Sequence, residues 1–270
     1  MMDRRGASEV IGFVLIVSLV LLTTSVVFVS GFNGLEDTRD AERVENAERA
    51  FDVLDDNMGD IAYRNAPARA TEIKLADANL ALTANTQITI EAQDSGGLVL
   101  STTTREVRPI VFTAANEQSK VVYEAGAVFR QSRGGAVMNS EPGLVFDQDR
   151  TVLTVLETSS DSRTAVGGSS TVLVRGSKDV SATDDPERTQ LLYTEDDTGA
   201  SVLDTVVIEI TTTPERTEAW ANYVEEELAE NSVPTPTSDP CTTSGATVTC
   251  EFQPDEVTVA TSIIDVEIES

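Results

Sequence analysis

Twenty consecutive residues without a charge, Val10 to Val29 (VIGFVLIVSLVLLTTSVVFV), constrain this chain more than any other stretch of it. Coiled as a single α-helix at about 1.5 Å per residue, the run is about 30 Å long, which is the thickness of a bilayer's hydrocarbon core. The residues after it are acidic and polar, so the pattern predicts an anchor that carries a large exterior part. A secretory signal peptide has a shorter apolar region followed by a small-x-small cleavage site. Here the run is too long, and Ser30-Gly31-Phe32 is a poor match to such a site.

Ahead of the run stands MMDRRGASE. Arg4 and Arg5 alone satisfy an ordinary signal-anchor, which needs only basic residues before an apolar helix. Arg4-Arg5-Gly6-Ala7-Ser8-Glu9-Val10-Ile11-Gly12 adds a small-residue processing site between the charges and the helix. At these residues the chain resembles archaeal type IV pilins and pilin-like proteins, and SEVIGFVLI is most similar to the pilin-like surface proteins of extreme halophiles. The resemblance covers roughly the first thirty-five residues. It implies a class III signal, cut by a membrane-embedded prepilin peptidase on the cytoplasmic side between Gly6 and Ala7. It also implies that the helix stays on the mature protein, where it packs with other pilin-like subunits. Bacterial type IV pilins carry a Glu at the fifth mature position, which helps register subunits during assembly; cutting after Gly6 puts Glu9 at the third. Glu9 is therefore read either as an assembly residue or as a polar residue at the membrane surface.

Charge is a separate line of argument toward the same setting. Forty-six acidic residues against nineteen basic give a net charge of −27, and Lys74, Lys120 and Lys178 are the only lysines. Self-repulsion of that size destabilises a compact chain at low ionic strength but is screened within about 3 Å in molar salt. The composition fits a halophilic exterior protein, with an ordinary acidic exterior protein as the alternative. Nucleic acid is not an expected partner, because binding phosphates takes clustered Lys and Arg. With Arg4 and Arg5 before the span and GFNGLEDTRDAE after it, the positive-inside rule places the N-terminus in the cytoplasm and the head outside. Cys241 and Cys250 bracket a segment centred on Ser244-Gly245, a turn that brings the two sulfurs together, and an oxidising exterior favours a disulfide there over two free thiols.

The expected organisation is a leader over 1–6, a transmembrane helix over 7–31, an amphipathic stalk over 32–66 and an exterior head over 67–270. Asn33-Gly34 is expected to loosen the helix where it leaves the bilayer. Val44, Ala47, Phe51, Leu54, Met58 and Ile61 then recur every three or four residues, so the helix continues to about Tyr63. That stripe packs either on neighbouring subunits or, for its C-terminal half, on the chain's own head. Pro67 stops it. Beyond Pro67, short runs rich in Val and Thr, separated by Gly, Asn, Asp and Ser, read as strands at intervals of roughly ten residues. The fold class is α+β: a long N-terminal helix followed by a mainly β head, of antiparallel sandwich, jelly-roll or β-solenoid type. One helix interrupts the strands, with Thr213 as N-cap and Pro214 opening PERTEAWANYVEEELAEN.

Motifs for catalysis are scarce. There is no His anywhere in the chain, which excludes Ser-His and Cys-His nucleophiles, His-ligated zinc and His bases. No phosphate loop, dinucleotide fingerprint or EF-hand pattern is present, so no cofactor or metal site is expected. The carboxylate pairs Asp55-Asp56, Asp184-Asp185 and Asp196-Asp197, and Asp147-Gln148-Asp149, are read as salt-adapted surface; a hydrolase would need such groups to face each other across a cleft at about 5 to 9 Å. Trp220, the single Trp, either stacks on a ligand such as a sugar or plugs its helix onto the sheet. The expected activity is non-catalytic, either as a minor pilin or pseudopilin-like component of a filament or secretion machine, or as a non-polymerising anchored adhesin.

Overall fold

The computed structural model describes residues 4–84, 86–115, 117–160, 164–178, 189–193 and 203–269, and the side chains of all of these except 4–9, 32–37 and 189–193. It resolves into two compact units, 1–43 and 44–270. One helix, α1 (Arg4–Tyr63), contributes to both. No proline interrupts it. The expected break at Gly34 is absent, and the backbone stays helical through that position. One glycine in an otherwise good helix former costs only about 1 kcal/mol, too little to stop a helix continued on both sides. Beyond Tyr63 the chain leaves the helix at Asn65 in a left-handed conformation (φ 57°), with the Ala66 amide reaching back to the Asp60 carbonyl at 3.0 Å. This is the usual way to satisfy the last carbonyls of a helix.

In the first unit, Val10–Gly31 is apolar on every side and none of it is buried. Two of its hydroxyls bond back to the helix itself: Thr23 Oγ1 donates to the Leu19 carbonyl at 3.0 Å, and Ser25 Oγ to that of Leu21 at 2.8 Å. No polar side-chain group of these two residues is left needing water.

The second unit begins at Val44, ahead of the expected boundary at Pro67, because the apolar stripe of α1 is part of its core. Val44, Ala47, Phe51, Leu54, Met58 and Ile61 are each at most 2% exposed. Three sheets follow. The first runs β1 (Ala68–Lys74), β12 (Thr171–Lys178), β17 (Val257–Glu269), β10 (Thr151–Ser159), β9 (Leu144–Val145), with β13 (Thr189–Tyr193) also paired to β17. The second runs β11 (Ala165–Gly168), β2 (Ala78–Leu82), β5 (Ile110–Thr113), β6 (Lys120–Glu124), β7 (Ala127–Ser132), β8 (Gly135–Ser140). The third runs β15 (Cys241–Ser244), β16 (Thr247–Phe252), β14 (Thr205–Thr211), β3 (Thr86–Gln93), β4 (Val99–Val107). α2 (Pro214–Glu230) joins the third sheet to β7 and β8.

The α+β class stands as expected, but the head is not a two-sheet antiparallel sandwich. It has three sheets, and β10 runs parallel to β17 from Thr151 beside Val257 to Ser159 beside Asp265. The second sheet is why. Ile110, Phe112, Val121 and Tyr123 pack into a core with the α1 stripe, while Val111, Val122 and Phe129 pack into another with α2 and β14. Buried on both faces, β5 to β7 read as the unbroken runs IVF, VVY and AVF, whereas β3, with one face inward, alternates as TQITIEAQ. α1 approaches the first sheet closely at Gly176, where an added Cβ would lie 2.8 Å from Met58 Sδ.

Candidate functional site

The described residues singled out from the sequence fall in five places. Arg4, Arg5, Gly6, Ala7 and Glu9 lie in the first turns of α1; their backbone is helical and their side chains lie outside the described set. Behind them, Val10–Gly31, 22 residues with mean hydropathy 2.7, is long and apolar enough to cross a membrane. Cys241 and Cys250 face each other across the β15–β16 hairpin and form a disulfide, with 2.00 Å between sulfurs and 4.1 Å between Cα atoms. Asp184, Asp185, Asp196 and Asp197 lie outside the described residues. Asp147 accepts from the Asp149 amide at 2.9 Å and so ties its own turn. Among the described residues no group of His, Cys, Asp or Glu side chains is placed to hold a metal ion.

Trp220 is buried at 1% exposure, which removes it as an open sugar platform. Its ring meets Phe129 and Tyr223, at centroid distances of 5.6 and 6.2 Å. Its indole N–H donates to Glu124 Oε1 at 2.8 Å. Glu124, itself fully buried, also accepts from Arg216 Nη2 at 2.7 Å, from Thr86 at 2.8 Å and from Thr212 at 2.9 Å, while Arg216 Nη1 donates to Gln131 Oε1 at 3.0 Å. A buried ion pair this fully hydrogen-bonded fixes α2 against β6 and β7 and leaves no free carboxylate for chemistry. No local pattern in the sequence announces it, because Glu124 and Arg216 meet only in the fold.

The fifth place is an acidic cleft in the second unit, about 250 Å³, where the end of α1 meets the β6–β7 turn and the loop after β8. Asp55, Asp56, Glu141, Tyr63 and Arg64 line it, along with Gly59, Gly126 and Gly143. The pair Asp55-Asp56 was visible in the sequence; Glu141 and the glycines were not, since a loop brings them there. Ser140 Oγ donates to Asp55 Oδ2 at 2.6 Å. Burial, reinforced by the neighbouring charges of Asp56 and Asp52, raises the Asp55 carboxyl from 3.8 to about 6, against the opposing pull of the Ser140 hydrogen bond. Tyr63 keeps half its surface in water, but its hydroxyl end lies against Gly143, where any Cβ would collide with it. Burial of that end, helped by the Asp55 charge, pushes its pKa up to about 12. Asp60 is held below its usual range by hydrogen bonds from Arg64 and Arg69. Tyr123, 0% exposed, has a hydroxyl with no hydrogen-bond partner among the described residues; burial first, then the charges of Asp55 and Tyr63, raise its pKa.

Comparison with curated proteins and with solved structures returned no match. A family model matches from residue 5 to residue 269, running through both the apolar helix and the head. That match spans nearly the whole chain, and the protein therefore belongs to the family of unknown function DUF7289.

Proposed function

We propose that this protein is a membrane-inserted, pilin-like surface protein, processed after Gly6 and acting as a minor pilin or pseudopilin-like component of a surface filament or secretion machine. The observation that carries the reading is the order Arg4-Arg5-Gly6-Ala7 directly ahead of Val10–Gly31, a helix with no buried residue in which the Thr23 and Ser25 hydroxyls bond to its own carbonyls. Such a helix is stable only in an apolar surrounding, whether bilayer or a bundle of like helices. The basic pair sets the N-terminus in the cytoplasm and the head outside. The role is non-catalytic: the best-connected buried carboxylate is clamped by Arg216, and the acidic cleft is smaller than the roughly 300 to 1,000 Å³ that ligand-sized active sites occupy. Partners are the membrane, a prepilin peptidase and other subunits meeting along 10–31.

One observation favours the second reading, an anchored surface protein that does not polymerise. The stripe from Val44 to Ile61 is closed by the head's own core and offers no seam to a neighbour. Both readings are tested together by intact mass and N-terminal sequencing of the protein from its native membranes, beside a Gly6→Val variant. A wild-type chain starting at Ala7 with the variant uncut supports the pilin-like reading. A chain that keeps Arg4 and Arg5 in both leaves the plain anchor.

A further inference from the structure

We propose that two copies of this protein pair through β8, edge to edge and antiparallel, about a twofold axis at Val137. Every residue involved belongs to the second unit. An isologous contact closes on itself, so this dimer stands whether or not the N-terminal helix enters a filament.

The first observation is an unguarded edge. An unpaired strand edge is normally blunted by charge or by shortness. Of the strands that end the three sheets, β1 carries Arg69, Glu72 and Lys74, β4 carries Arg105 and Glu106, and β9, β11 and β15 have four residues or fewer. β8 has six residues, GAVMNS, none of them charged, and among the described residues it pairs with β7 alone. Val137 in this strand is 66% exposed, in a chain whose net charge is −27.

The second observation is that the edge complements itself, which selects a second copy as its occupant. The β7–β8 turn is Arg133-Gly134, closed by Ser132 beside Gly135. Hydrogen-bonded and open pairs alternate from that closure, so Ala136 and Met138 turn their N–H and C=O groups away from β7, toward the free edge. A second β8 laid antiparallel with Val137 on Val137 sets Ala136 against the partner's Met138, and Met138 against the partner's Ala136. Each of those pairs exchanges two hydrogen bonds, and the two valines meet between them as an open pair, about 4.5 Å apart at Cα. The same register carries Arg133 toward the partner's Glu141 at both ends of the contact, and both residues are exposed.

The partner's Met138 points to the same side of the sheet as Ala136. There a groove of about 260 Å³ runs along the strand, between Ala136 and Met138 on one side and Ala219, Asn222, Tyr223 and Glu226 of α2 on the other. An unbranched thioether fits itself to an irregular gap of that kind. One edge thus supplies the donors, the acceptors, the apolar centre and the slot that its own copy fills.

The test is oxidative cross-linking of the full-length Val137→Cys protein in detergent micelles, at fixed ionic strength and over a range of protein concentrations. Cys241 and Cys250 are bonded to each other, so the introduced thiol is the only free one. A dimer that reduction returns to monomer is the expected result, while Leu98→Cys, at a position 64% exposed, gives only the collisional background. Adding Ala136→Pro removes one outward N–H per copy, hence two hydrogen bonds per dimer, and leaves the β7 ladder intact; the concentration for half cross-linking should rise about tenfold or more. Adding Arg133→Glu instead sets like charges at both ends and should raise that concentration severalfold. Denaturant unfolding read at Trp220 identifies the variants that fold, and Arg133→Glu, a turn substitution outside the ladder, decides the matter if Ala136→Pro does not. The proposal is overturned if Val137→Cys cross-links no better than Leu98→Cys, or if cross-linking is undiminished in either folded variant.

Discussion

Residues 10–31 and 44–61 belong to the same helix and treat their apolar side chains in opposite ways. In the first segment Phe13 is 69% exposed and Leu21 62%; in the second, Phe51 and Leu54 are 0% exposed. What differs is less the amount of apolar surface than its arrangement. A helix that is apolar on all sides has no face to offer water, so its whole circumference needs an apolar solvent. A helix with a stripe needs only one apolar surface, and β1, β5, β6, β12 and β17 supply it from within the chain. The comparison teaches that the unit boundary at Val44 is set by the pattern of burial and not by where the helix ends.

The most forceful way to break this comparison is to remove one aromatic ring from each segment. Phe51→Ala should lower the stability of the second unit by about 3 to 5 kcal/mol, the usual cost of a ring-sized cavity in a packed core. Phe13→Ala should leave that transition where it is. Trp220, the single Trp and fully buried, reports the unfolding in denaturant by fluorescence. Equal losses from both variants would mean that the two segments share one folding unit. The converse substitution tests the other half. Leu21→Arg should cost about 2.5 to 3.5 kcal/mol of membrane insertion at the middle of a span, moving protein from the carbonate-resistant membrane fraction to the soluble one. The Trp220 transition should not move. A Leu21→Arg protein retained in membranes as firmly as the wild type would remove the span from the reading.

Much of this was legible in the sequence wherever a signal is local. The uncharged run, the stripe from Val44 to Ile61, the helix end near Tyr63 and the hairpin between Cys241 and Cys250 all rest on local spacings, and the structure places them as read. β2, β8 and β11 lack such a signal, being short and carrying ANLAL, GAVMNS and AVGG, with little β-branched content to mark them. The parallel pairing of β10 with β17 joins segments about a hundred residues apart, and nothing in either one encodes the other's direction. The same limit applies to the acidic cleft. Asp55-Asp56 is a visible pair in a chain full of acids, but the strand that brings Ser140 to Asp55, and the loop that adds Glu141, exist only once the second sheet is formed. Trp220 had two readings from sequence, and the hydrogen bond to Glu124 inside the core decides for the structural one.

Asp55 sharpens the comparison at the smallest scale, because it sits one residue from Leu54 on the buried half of the helix and has no counterpart in residues 10–31. Its carboxyl titrates near 6 in the folded protein and near 3.8 when unfolded, so the folded form holds the proton more tightly. The sign follows from linkage: this contribution is fully present at low pH, declines as pH rises from about 4 to 6, and above that the folded protein carries the cost of a partly buried charge. Asn at position 55 carries no charge, so Asp55→Asn should compare more favourably with the wild type at pH 7.5 than at pH 4. The shift corresponds to about 3 kcal/mol at most, and because the side chain is only partly buried, about 1 to 2 kcal/mol is expected. Denaturant unfolding read at Trp220 at the two pH values and fixed salt measures it. The other titrating groups nearby, Asp52, Asp56, Tyr63, Tyr123 and Glu141, are common to both proteins and are offset in the difference to the extent that they do not couple to Asp55. A difference between variant and wild type that is the same at both pH values would show that Asp55 titrates as an ordinary surface acid, and the buried half of the helix would then differ from residues 10–31 in packing alone.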